Sequence, residues 1–141
     1  MLHTREALLH TARASLALAL GLGLVAGCFV DTLEAVPAYP GSSIGPGYRQ
    51  KDDGRTSLKQ IYYTPDGYHQ VVEYYGRYVN ESGVWEEQVS GDLAIWKQNM
   101  QLDSLMTNAS PIDPAKPGKL IVVVNEGTRT TIRAYSSHPG T

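Results

Sequence analysis

Leu120-Ile121-Val122-Val123-Val124-Asn125-Glu126-Gly127-Thr128-Arg129-Thr130-Thr131-Ile132-Arg133-Ala134-Tyr135 is the stretch whose reading decides the fold. Five consecutive aliphatic residues rich in β-branched side chains predict a strand apolar on both faces, and hence central in a sheet. The Asn-Glu-Gly-Thr run that follows is turn chemistry, so the two halves predict a β-hairpin. In the second half Ile132 and Ala134 alternate with Thr131, Arg133 and Tyr135, the pattern of a strand that buries one face only.

Upstream of the hairpin, residues 108–118 carry Pro111, Pro114 and Pro117 and read as a loop. The run Met100, Leu102, Leu105, Met106 fits a strand in its first two positions and a helix in all four. Two short segments, 84–89 with Trp85 and 92–98 with Leu93, Ile95 and Trp96, read as extended. Before them, Tyr68, Val71, Val72, Tyr75 and Val79 recur at three- and four-residue steps, which predicts an amphipathic helix of about 13 residues. Thr64 suits the N-cap, Pro65 the first helical position, and Asp66 the positive end of the helix dipole. Residues 57–64, with Leu58, Ile61, Tyr62 and Tyr63, predict a strand ahead of it. The fold expected is therefore α+β, one amphipathic helix packed on an antiparallel sheet of about four strands.

Further upstream the composition changes. Residues 29–57 hold Pro37, Pro40, Gly41, Gly45, Pro46 and Gly47 and then a charged run, which reads as a flexible tether. Within it, Val36-Pro37-Ala38-Tyr39-Pro40-Gly41-Ser42 offers two apolar side chains that either dock on the domain or stay with the tether. Ahead of the tether, Arg5 and Arg13 precede an apolar run, Ala14 to Ala26, that ends in small residues and the sole cysteine, Cys28. That order is the order of an export signal.

Leu24-Val25-Ala26-Gly27-Cys28 resembles the lipobox of bacterial lipoproteins, an aliphatic residue and two small ones before a lipidated cysteine. The resemblance implies cleavage between Gly27 and Cys28, a thioether-linked diacylglycerol on Cys28, and often a further acyl chain, such as palmitate, on the new amino group. Two or more chains anchor stably where one does not. Two alternatives stay open: an ordinary signal with a chance cysteine, and an uncleaved transmembrane helix. The 17 uncharged residues between Arg13 and Asp31 reach only the lower bound of about 17 to 25 for a span. The organisation expected is a signal peptide over 1–27, a lipidated, Pro/Gly-rich tether over 28–57 and a small domain over 58–141. The order of strand, helix and strands behind a Tyr-Pro-Gly-Ser stretch also resembles several small bacterial lipoprotein domains of uncharacterised function.

Removing 1–27 takes Arg5, Arg13 and Glu6 from the 12 basic and 14 acidic residues, leaving 10 and 13, a net charge of −3. This balance speaks against a nucleic-acid surface. Two histidines remain, His69 and His138, with no zinc-ligand spacing and no metal or cofactor implied. Lys51-Asp52-Asp53-Gly54 lacks the alternating oxygens of a calcium loop. The Gly-x-Ser-x-Gly elbow of a serine hydrolase is missing, and Ser136 and Ser137 are only sequence neighbours of His138. The Glu86-Glu87 pair, if extended, points to opposite faces.

Nine tyrosines and two tryptophans against one phenylalanine suit a binding surface, but the same spacing reads first as structure, with Tyr68 and Tyr75 filling the core and Tyr74 and Tyr78 covering its rim. Tyr74 and Tyr78, one helical turn apart, are the candidate residues. The leading expectation is a non-catalytic domain held by its lipid at the membrane in the cell envelope, outside the cytoplasm, binding an envelope protein or glycan. The alternative is a small envelope hydrolase or ligand-binding enzyme with a site assembled from scattered residues such as His69, Glu73 and Asp103.

Overall fold

The computed structural model describes residues 35–52 and 54–140, within a unit running from Glu34 to Thr141. The predicted signal 1–27, the cleavage site and Cys28 lie outside the described residues, as does Asp53.

The chain forms β1 (Ser43–Asp52), β2 (Arg55–Thr64), α1 (Tyr68–Glu81), β3 (Glu86–Val89), β4 (Leu93–Gln98), β5 (Met100–Leu102), β6 (Ala109–Pro111), β7 (Gly118–Asn125) and β8 (Thr130–Pro139). Six strands make one sheet in the order β1-β2-β8-β7-β4-β3, every neighbouring pair antiparallel. The short hairpin β5–β6 is a second sheet. The class is α+β, as expected, but with eight strands where about four were predicted. Of the strands beyond those expected, β1 and β6 come from segments whose local chemistry reads as tether and loop, and β5 from the run that fits a strand or a helix.

The largest revision concerns residues 43–57, read as tether. They form β1 and the start of β2, paired from Ser43↔Tyr63 to Asp52↔Arg55. The glycines and Pro46 that argued against a strand sit at a break in register between Ile44 and Gly47, where the bulge tolerates them. β1 is an exposed edge, so it lacks the apolar alternation that marks a half-buried strand. The stretch before it docks: Val36 and Tyr39 are buried in the main core.

α1 begins later than its punctuation suggested. Thr64 is the last residue of β2, paired with Thr130, and its hydroxyl accepts from the Asp66 amide. Pro65 and Asp66 make the turn, the N-cap is Gly67, and the Gly67 amide donates to Gln70 Oε1. Pairing in the sheet outcompetes the cap.

β7 explains the continuous apolar run. Ile121 and Val123 face α1, joining Val71, Tyr75, Trp96 and Ile132 in the main core. Leu120 and Val122 face the other way, joining Ile95 and Met100 in a second cluster. Burial of each such side chain contributes roughly 1.5–3 kcal/mol. The result is three layers, α1 on one face of the large sheet and β5–β6 on the other. This third layer also half-covers Tyr135, expected on an open face. The 108–118 loop thus contains a strand, β6. It is tied down by Asn99, whose side-chain amide donates to the carbonyls of Asp113, Lys116 and Pro117 and whose Oδ1 accepts from the Asp113 amide.

Candidate functional site

Tyr74 and Tyr78 project from the same side of α1, and both are engaged. The Tyr74 ring packs edge-on to Tyr39 and Tyr75, with centroids 5.2 and 5.0 Å apart, and its hydroxyl donates to the Ala38 carbonyl at 3.4 Å. Tyr78 packs edge-on to Trp85 and accepts a 3.3 Å hydrogen bond from Lys119 Nζ. The segment 36–39 therefore covers much of the first ring, while Trp85 and Lys119 hold the second. Beside Tyr74 lies an open cleft of about 300 Å³ that includes Tyr39, Asp66, Glu73 and Arg77. Tyr39 donates to Asp66 Oδ2 at 2.7 Å, and that bond, with burial, raises the phenol above its usual range.

The residues of the hydrolase alternative do not converge. His69 and Glu73 are exposed on α1, with the His69 ring edge-on to Tyr68. Asp103 sits beyond β5, in the layer on the opposite face of the sheet. There it accepts from the Thr107 amide and hydroxyl and the Asn108 side chain, which hold its carboxyl below the usual carboxylate range. Glu86 pairs with Lys97 and Glu87 accepts from Trp96 Nε1, one on each face of β3. Ser137 is buried and accepts from Arg55 Nε. Among the described residues no group of three or more His, Cys, Asp or Glu is placed to hold a metal ion.

Two concavities flank β2 and β8. On the α1 face an open, mainly apolar groove of about 390 Å³ is lined by Val36, Leu58, Tyr62 and Ala134 among others. On the opposite face a smaller and more enclosed pocket, about 90 Å³, lies between the sheet and the turn joining β5 to β6. The register builds it. Tyr48 pairs with Lys59, Lys59 with Tyr135, and Tyr135 with Leu120, so one row crosses four strands on a single face. Arg133, flanked by Ile61 and Val122, stands in the next row. Leu102 and Met106 close the far wall.

This pocket joins residues from β1, β2, β7, β8 and the β5–β6 turn, positions separated by up to 87 residues between Tyr48 and Tyr135. No local motif marks it; the only signal in the sequence is the outward alternation of Arg133 and Tyr135 on β8. No protein-family model, curated protein or solved structure matches this chain.

Proposed function

We propose that this chain is a bacterial lipoprotein whose mature form begins at a lipidated Cys28 and displays a non-catalytic binding domain at the membrane surface. The observation that carries the reading is Leu24-Val25-Ala26-Gly27-Cys28, with the sole cysteine of the chain at the position the lipid requires. Among the described residues no helix is long and apolar enough to cross a membrane. Because Val36 is already a core residue, only residues 29–35 separate it from Cys28. Seven extended residues reach at most about 25 Å, so the domain is held close to the headgroups instead of on a long leash.

A binding role is supported by the two concavities beside β2 and β8 and by the separation of His69 and Glu73, on α1, from Asp103, in the layer across the sheet. The test is the mass of the mature N-terminal peptide after expression of the full chain in a bacterial host. The expected peptide starts at Cys28 and carries a diacylglycerol, and Cys28→Ser accumulates as unprocessed precursor. An intact Met1 or an unmodified Cys28 overturns the proposal.

A further inference from the structure

The enclosed pocket between β2, β8 and the β5–β6 turn has the chemistry of a ligand site. We propose that it binds a small aliphatic carboxylate, the anionic head held by Lys59 and Arg133 and the short apolar body resting on Met106 and Leu120. The inference rests on the binding reading of this face and is independent of the lipid anchor.

Charge is the first argument. The pocket lining includes two cations, Lys59 and Arg133, and no carboxylate; Asp103, in the β5–β6 turn, is taken up by Thr107 and Asn108. Ion pairs among the described residues engage Lys97, Lys116 and Arg129 instead. Among the described residues Lys59 Nζ lies over the Tyr48 ring, 5.8 Å from its centroid. Two like charges side by side on a chain of net negative charge raise the local potential for an anion. The planar fork of a guanidinium suits the two oxygens of a carboxylate, and Lys59 adds a point charge.

Hydrogen bonding adds to this. Tyr48 and Tyr135 stand on either side of Lys59 in the same cross-strand row. A phenol keeps its proton at neutral pH, so each of the two tyrosines brings a hydroxyl donor to this face. The far wall is equally defined. Met106 holds a left-handed backbone, φ 58°, which is costly for a residue with a side chain. Asp103 keeps the turn in place through its bonds to Thr107 and Asn108. The strained turn brings the Met106 thioether, a pliable apolar surface, toward Leu120 and Val122 of the sheet.

Size selects within the anions. A cavity of about 90 Å³, open on one side, suits a head group with a short apolar body better than a long acyl chain. A phosphate dianion would leave the apolar floor unused and bring a stronger hydration shell to strip.

The experiment titrates the full-length chain, purified in detergent, with butanoate, butanamide, octanoate and inorganic phosphate, following side-chain and amide NMR shifts. Saturable binding of butanoate is expected, with butanamide at least tenfold weaker and octanoate no tighter than butanoate. Arg133→Met and Lys59→Met should each weaken butanoate by about tenfold or more, and Arg133→Lys should recover part of the loss. Both side chains reach solvent, and circular dichroism of each variant checks the fold. Equal binding of butanamide, tighter binding of phosphate, or unchanged butanoate affinity in folded Arg133→Met overturns the proposal. Binding that survives in Cys28→Ser separates it from the anchor.

Discussion

Tyr75 Oη donates a 2.9 Å hydrogen bond to the Pro37 carbonyl, joining the wholly buried face of α1 to the segment that enters the domain. Tyr75→Phe keeps the ring and leaves that carbonyl without its donor, at an expected cost of about 1–2 kcal/mol. Tyr75→Ala opens a cavity and should cost about 3–5 kcal/mol. Urea unfolding of the two variants checks both values, and a loss of less than half a kcal/mol in Tyr75→Phe would remove the role given to Pro37.

Burial drives the phenols of Tyr62, Tyr68 and Tyr75 above their usual range. A group whose folded pKa is raised contributes stability that is complete below its unfolded value, about 10 for tyrosine, and lost as pH rises through the folded one. The domain should therefore hold its structure from neutrality to about pH 10 and unfold above it. Tyrosinate absorbance and the far-ultraviolet circular dichroism should change together; tyrosines that ionise with the fold intact would contradict this.

Gly118 opens β7 where Met100 crosses it. A Cβ there would lie 2.4 Å from Met100 Sδ and 2.9 Å from the Asn99 carbonyl oxygen, and the second contact is backbone that cannot swing aside. Gly118→Ala should destabilise by about 1–3 kcal/mol, seen as a lower melting temperature. Wild-type stability in that variant would mean the two segments separate freely.

Asn99 takes a left-handed φ of 53° and bonds the proline loop from its side chain. Asn99→Gly keeps the backbone and removes the bonds, so amides of 112–116 should exchange faster with a modest loss of stability. Asn99→Ala loses the bonds and adds roughly 1 kcal/mol of backbone strain. The order wild type, Gly, Ala in thermal melting distinguishes conformational from hydrogen-bonding cost; Ala equal to Gly would dismiss the strain.

Much of this fold was legible in the chain because periodicity is local. The aliphatic run of β7, the turn at Gly127 and the 3–4 spacing of Tyr68, Val71, Tyr75 and Val79 each state their own structure. β1 was not legible, since an exposed edge strand needs no apolar alternation and draws its hydrogen bonds from β2. Thr64 misled for a related reason: good cap chemistry lost to ten residues of pairing with β8.

What the sequence determined alone is the α+β class, and it alone carries the Leu24–Cys28 pattern on which the lipid-anchor proposal rests. Only the tertiary structure decided where a ligand could be held. Lys59, Arg133, Tyr48 and Met106 are unremarkable in their own segments and become a pocket because strand register and a strained turn bring them to one face. Register is a property of paired strands, and no single strand contains it.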